Sequence, residues 1–258
     1  MNAAAPSRIR SIAAVLRRHL RVWRRLFVSH AVGSLVEPLV YLVAFGFGLG
    51  MLVPDVGGRS YLSFLAPGLI VSSALYAATF EGTYGTYTRL VPQRTFEGML
   101  STPVSVAEVV IGEALYAGLK GTFAGCAVLL VATAFGLMES PWALAVPALS
   151  VLGALGFAGI SVLVSGISRS YDAFNYFFTL GITPLFMFSG IFFPLDRLPE
   201  WVRVASWFNP VTHAVEAMRA ACYGEVDPRI MIHIGALLLF AVLPLLPAVR
   251  LIRRRLMP

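Results

Sequence analysis

Charge is scarce in this sequence. Asp, Glu, Lys and Arg make up 13% of its 258 residues, against about 25% in a soluble domain, too few to clothe a water-facing surface. Lysine is nearly missing: Lys120 is the only one, and the net charge of +7 rests on arginine. Cysteine is scarce too. Cys126 sits in an apolar run and Cys222 in a polar-flanked segment; two such residues make no disulfide framework and read as unpaired apolar fillers. The first twenty-five residues hold seven arginines and no apolar stretch ending in a small-residue cleavage site, so no secretory signal is expected. A P-loop is missing as well. Gly118-Leu119-Lys120 has a residue between Gly and Lys and lies in an apolar run, not after a strand, so nucleotide binding through G-x-x-x-x-G-K-[ST] is excluded. Gly-x-Ser-Gly is incomplete at both Ser165-Gly166 and Ser189-Gly190, which argues against an intramembrane serine protease. No catalytic residue, metal site or bound cofactor is expected in this chain.

Apolar residues fill the space: 58% of the chain, with mean hydropathy +0.79. Such a chain belongs in a bilayer, and its positive charge then points to anionic lipid headgroups and not to nucleic acid. In residues 8–27, Ile9, Ile12, Leu16, Leu20, Trp23 and Phe27 recur at helical steps, with Arg10, Arg17, Arg18, Arg21, Arg24 and Arg25 around the rest. This pattern predicts an amphipathic helix lying in the headgroup plane. A hydrocarbon core of about 30 Å needs roughly 20 helical residues, and six stretches qualify: about Ala31–Val53, Tyr61–Phe80, Leu115–Leu137, Ala143–Ile167, Ala173–Phe193 and Ile230–Leu251. The fold class expected is an all-α membrane protein forming one domain over 1–258. Six crossings put the N-terminus, the 81–114 loop, the 168–172 connection and the C-terminal tail on one side, with 14 basic residues against five on the other. The positive-inside rule makes both termini cytoplasmic. Gly121 and Gly125, and Ala154 and Ala158, form small-xxx-small pairs suited to close helix packing.

Three places carry more than span chemistry. In RTFEGMLSTPVS, residues 94–105, Thr95 can cap a short helix with Glu97 in its first turn. Phe96, Met99 and Leu100 share a face, Ser101 follows, and Thr102-Pro103 stops the helix. Ser105-x-x-Glu108 is a capping box opening the next one. The apolar face would lie against bilayer or another protein, and the residues alone do not choose. Between the last two spans, residues 189–224 are too polar to span and too apolar to be a free loop. Ser189, Gly190, Pro194, Pro199 and Pro210 punctuate them; Trp201, Val204, Ala205 and Phe208 make one helical face, and Val211, Val215, Met218 and Cys222 another, with Gly224 as a stop. Two short amphipathic helices on the outer side, entering or resting on the bilayer, explain the pattern. Ionisable groups at membrane depth form the third set: Glu37 beside Pro38, Lys120 and His233. Such groups are costly there and mark function or helix-holding hydrogen bonds. Lys120 could snorkel to the interface, with Glu113 two turns back as the acidic neighbour on its own helix.

Together these features resemble the ABC-2 type permeases of bacterial ABC exporters, and within them the nodulation-type lipo-oligosaccharide export permeases. The resemblance rests on EPLVYLVAFGFGLG (37–50), YLSFLAPGL (61–69), QRTFEGMLSTPVS (93–105), SYDAFNYF (170–177) and SGIFFPLDRLPEW (189–201), in order along nearly the whole chain. It implies a six-helix half-transporter in the bacterial inner membrane that dimerises with a second copy and pairs with two ABC ATPase subunits carrying ATP and Mg. It implies that 94–103 is the cytoplasmic coupling helix docking on the ATPase, and that 189–224 forms external re-entrant helices. The cargo implied is a lipo-oligosaccharide or related amphiphilic glycolipid, with Tyr84, Tyr87, Phe174, Tyr176 and Phe177 available to stack on sugar faces. A drug or antibiotic efflux permease is the alternative, and a proton-coupled transporter using Glu37 and His233 a remote one.

Overall fold

A computed structural model describes residues 7–53 and 55–257, apart from the side chains of His30, Gly33, Ser34, Leu35, Glu37, Pro38, Phe47 and Leu49. Among these residues the chain is almost wholly helical. It opens with α1 (Arg8–Arg25) and α2 (Phe27–Phe47), then a helical turn at Leu49–Leu52. A tight hairpin follows, β1 (Asp55–Val56) against β2 (Arg59–Ser60), antiparallel with Asp55 opposite Ser60. Its turn residues Gly57 and Gly58 have φ of 66° and 83°, a left-handed pair that glycine adopts without strain. The remaining helices are α3 (Tyr61–Leu90), α4 (Thr95–Leu100), α5 (Val106–Ala134), α6 (Pro141–Ile167), α7 (residues 172–187), α8 (Glu200–Ser206), α9 (Pro210–Tyr223) and α10 (Ile230–Leu256).

Four helices among the described residues are long and apolar enough to cross a membrane: α3, α5, α6 and α10. The other two expected spans correspond to α2 and α7, and α7 carries a π-helical turn at Phe177–Ile182. Glu37 lies within α2, but its side chain falls outside the described residues, so its expected role is untouched. α3, α5 and α6 pack at the centre through small residues, as the small-xxx-small pairs predict. Ala78, Ala117, Ala154 and Ala158 form one buried cluster. A Cβ at Gly121 would collide with the Ala74 carbonyl and press the Cβ atoms of Ala78 and Ala154 at 2.8 and 2.9 Å.

Several expectations change. The second apolar helix does not stop at Phe80 but runs to Leu90 through a π-helical turn at Glu81–Gly85, so the first third of the presumed loop is helix. Helix α1 meets the bundle along buried Ser11, Val15 and His19 rather than along the centre of the apolar stripe. Ile9 on that stripe is 80% exposed, while Ile12, Leu16, Leu20 and Trp23 are half-buried. The reason is local: Val15 fits over Gly112, where a Cβ would meet it at 2.6 Å, and His19 reaches a buried carboxylate described below.

The α4 segment also differs. Its N-cap is Arg94 in a left-handed conformation (φ 48°), with no capping side chain. Thr95 is already inside the helix, and its hydroxyl lies 3.5 Å from the Gln93 side chain. The apolar face is turned inward. Phe96 is fully buried, packed in one cluster with Val15, Val109, Val110, Val162, Ala248 and Ile252, and Met99 and Leu100 lean on it. The bundle itself buries the Phe96 side of that face, in a cluster drawn from α1, α3, α5, α6 and α10, while Met99 and Leu100 are half-buried. The Ser105–Glu108 capping box is present in both directions.

Candidate functional site

Five ionisable side chains from three helices meet just inside the end of the bundle that carries both termini. Glu113 on α5 is completely buried. Its carboxylate accepts Arg89 Nη2 at 2.6 Å and Arg89 Nε at 3.0 Å, takes the Thr86 hydroxyl at 3.1 Å, and lies 3.0 Å from His19 Nε2. Arg89 then reaches Glu81 Oε1 at 2.8 Å, an ionic contact rather than a well-directed hydrogen bond. Lys120 Nζ donates to Glu81 Oε2 at 2.7 Å. Tyr116 roofs the set, stacked on His19 at 4.9 Å between centroids with Arg89 5.5 Å from its ring. Two carboxylates face one guanidinium and one ammonium, so the charges balance, which is the condition for keeping ions out of water.

The π turn makes this geometry. Glu81 and Arg89 are eight positions apart, which in a regular α-helix leaves them about 80° out of line. One residue absorbed by the π turn brings them to within about 20° on a common face. Gly85 is required beside it, since a Cβ there would overlap the Glu81 carboxylate. The carbonyls freed by the turn are satisfied from α6: Ser165 Oγ donates to Gly82 O at 2.7 Å and to Thr83 O at 2.9 Å. Lys120 therefore neither snorkels nor pairs with Glu113, as its helix position had suggested. It is drawn across to Glu81, and Glu113 is taken by Arg89 and His19.

This network sits behind α4. Val109 and Val110, on the α5 turn before Glu113, contact the same cluster as Phe96, and Val15 precedes His19 by one turn of α1. Arg94, Glu97, Gly98, Ser101, Thr102 and Pro103 form the exposed side of the segment. At the C-terminal end, Arg255 Nη1 donates to the carbonyls of Ser165, Gly166 and Ser168 at 3.2, 3.1 and 2.6 Å, closing the last turn of α6. Of the aromatics named as available to sugar faces, Tyr84, Tyr87 and Phe174 lie together: Tyr84 lies 5.0 Å and Tyr87 5.4 Å from Phe174. Tyr171 joins them, stacked on Tyr84 at 9°. Tyr176 points away, 69% exposed, and Phe177 packs on Phe178.

The opposite end is tied by different chemistry. Arg59 bridges Glu225 at 2.7 Å and Glu139 at 3.2 Å and lies 4.0 Å over the Tyr223 ring, joining the hairpin to two other connections. The Glu225 hydrogen bond holds the Arg59 pKa above its ordinary value, and burial pushes the Tyr223 phenol up to about 12. In the 189–224 region, Ser189 is buried and donates to Phe186 O, and Gly190 (φ 88°) offers its carbonyl to Arg219 at 2.6 Å. Pro194 precedes a 3-10 turn, Pro199 is the N-cap of α8, and Pro210 is the first residue of α9, capped by Asn209. Trp201, Val204 and Phe208 are 73, 55 and 85% exposed, whereas Val211, Val215, Met218 and Cys222 are in the core. His233 does not stand alone; it meets His213 of α9.

Glu81, Arg89 and His19 escaped sequence reasoning because their partners lie far away along the chain. The available signal was Glu81 directly after an apolar run, too costly to leave unpaired if the helix continues.

Comparison with known proteins places this architecture. The profile described as ABC-2 type transporter matches residues 10–223. Nodulation protein J of Rhizobium meliloti (strain 1021) is 37% identical over 99% of this chain and 98% of its own length. Nodulation protein J of Rhizobium leguminosarum bv. trifolii is 38% identical over 95% of this chain and 93% of its own. The inner membrane transport permease YadH of Escherichia coli (strain K12) is 26% identical over 89% and 88%. The chain belongs to the ABC-2 type transporter family.

Proposed function

We propose that this chain is the membrane half of an ATP-driven exporter, working as a dimer with two copies of a separate ABC ATPase. It sits in a bacterial inner membrane with six spans, α2 and α7 completing the four long ones, and with both termini cytoplasmic. Its cargo is a lipo-oligosaccharide or related amphiphilic glycolipid, as the resemblance to nodulation-type export permeases implies.

The observation that carries this reading is the mounting of α4. A helix of six residues cannot hold its own shape in water, and it has no mechanical use unless something fixes it. Here α4 lies against the end of α3 and the start of α5, and Phe96 anchors it in a buried cluster shared with α1, α6 and α10, while Glu97, Gly98, Ser101, Thr102 and Pro103 face outward. A push on that outer side is delivered to the helices crossing the membrane, with the Glu81–Arg89–Glu113–Lys120 network stiffening the joint. In this reading residues 94–103 are the coupling element, residues 189–224 the external re-entrant element, and the basic side of α1 rests on anionic headgroups. Tyr84 and Tyr171, backed by buried Phe174, offer ring faces to a sugar, and exposed Phe80 beside Tyr84, at 4.7 Å, extends that surface.

The test is co-expression with an ABC ATPase followed by purification and transport of a fluorescent glycolipid into vesicles. A complex of two permeases and two ATPases, with transport that needs ATP, is expected. Transport driven by a proton gradient with no ATPase present would overturn the reading.

A further inference from the structure

At the end away from the termini, two imidazoles from different helices touch. His213 Nδ1 of α9 lies 2.8 Å from His233 Nδ1 of α10, and His213 Nε2 lies 2.9 Å from the Trp207 carbonyl. The protons follow from the chemistry. A carbonyl only accepts, so His213 carries its hydrogen on Nε2. A neutral imidazole has one N–H, which leaves His213 Nδ1 as an acceptor. The 2.8 Å contact then needs the hydrogen on His233 Nδ1, and His233 Nε2 is left as a bare acceptor. His213 is buried and His233 half-buried, and both line a half-open cavity of about 360 Å³.

We infer that the His213–His233 pair is a proton-binding site: it accepts one proton with its bond intact and is forced apart by a second. The first proton adds to His233 Nε2, which makes no bond, so the Nδ1–H···Nδ1 hydrogen bond survives and becomes charge-assisted. The charge lies beside the indole of Trp207, whose ring is parallel to His233 within 17° at 6.0 Å. The second proton has one place left, His213 Nδ1, the acceptor of the bond itself. Two N–H groups then face each other at hydrogen-bond distance and the contact opens.

The charged groups around the pair come from every side of the cavity. They are Arg203 of α8, Glu216 of α9, and Glu225, Asp227 and Arg229 before α10; α6, packed along α10, carries no ionisable residue. Glu216 is paired with Arg219 and Glu225 with Arg59, and Asp227 accepts the Arg229 backbone N–H. None of these carboxylates takes a hydrogen bond from either imidazole. Opening the pair removes the hydrogen bond between the first turn of α9 and α10, next to the corner that displays Trp207 and Phe208. The outer helices thereby become responsive to acidity on their own side of the membrane.

Full-length permease in lipid nanodiscs, labelled with 15N-histidine, tests this through its imidazole nitrogen resonances between about pH 8 and pH 4, which brackets ordinary histidine titration. The neutral pair is expected as His213 Nε2–H and His233 Nδ1–H. A first proton should appear at His233 Nε2 with the inter-ring hydrogen bond retained, and a second should abolish it. His233→Asn keeps an N–H near the Nδ1 position but binds no proton, so its bond should persist while the first step disappears. Two identical tautomers at neutral pH, or two titrations that ignore each other's substitution, would overturn the proposal. The unsubstituted spectra decide the tautomers even if the variant does not fold.

Discussion

Replacing Glu113 with Gln removes one negative charge from the centre of the buried network while barely changing volume. Arg89 loses its two-pronged partner, with bonds of 2.6 and 3.0 Å, and must share Glu81 with Lys120. Glu113 is fully buried and Arg89 only 14% exposed, so water cannot replace what is lost. Breaking a buried pair by removing one partner costs about 3–5 kcal/mol. At about 2–4 °C per kcal/mol for a chain of this size, the melting temperature of the purified permease should fall by roughly 6–20 °C. Adding Arg89→Met to Glu113→Gln removes the orphaned cation and leaves Glu81–Lys120 as a neutral pair. The double variant should therefore be more stable than the sum of the single losses, by about 1–3 kcal/mol. Melting followed by size-exclusion fluorescence in detergent measures all three. A Glu113→Gln protein melting within about 2 °C of the parent, or strictly additive losses, would refute the idea that these charges act as one unit.

Phe96→Ala should destabilise the permease by about 3–5 kcal/mol, whereas Glu97→Arg, on the exposed side of α4, should stay within about 0.5 kcal/mol yet weaken ATPase association; melting and co-purification check the pair. Gly85→Ala should lower stability by about 1–3 kcal/mol, because its Cβ would displace the Glu81 carboxylate; an increase, the usual result of Gly→Ala in a helix, would contradict the π-turn account. With the Tyr223 phenol pushed up to about 12 and an unfolded tyrosine near 10, the unfolded chain ionises first. Stability from this group is thus complete below about pH 10 and drains away as pH rises toward 12. Tyr223→Phe should make the alkaline melting curve shallower, and an unchanged slope would count against burial of that phenol.

Local chemistry was legible in the sequence and long-range pairing was not. The Ser105–Glu108 box, the Pro210 break between the two outer faces and the Gly224 stop are set by neighbours within one turn, and each appears as read. The small-residue contacts were legible for the same reason, since Gly121 and Gly125 mark one helix face whatever lies opposite. The apolar face of α4 was legible as a face, but the buried cluster it joins also draws on Val15 of α1 and on Ala248 and Ile252 of α10, far off in the chain. Helix α3 was cut short because Glu81 and Arg89 look like the polar start of a loop. Only their partners, thirty or so residues away on α5, make them affordable inside a helix. The π turn that aligns them left no mark that periodicity could register, as one extra residue destroys the regular spacing on which such reading depends.

The most direct test of the coupling role of residues 94–103 is a cross-link from its outer side. Gly98 has nothing within 4 Å of a built Cβ, so Gly98→Cys should fold normally in a background lacking the half-buried Cys126. With the ATPase present, a short thiol cross-linker should join this position to the ATPase, and ATP should change the yield. Cysteine at Asp227, exposed at the other end, should give no such product. Cross-linking at Asp227 with none at Gly98 would contradict the account.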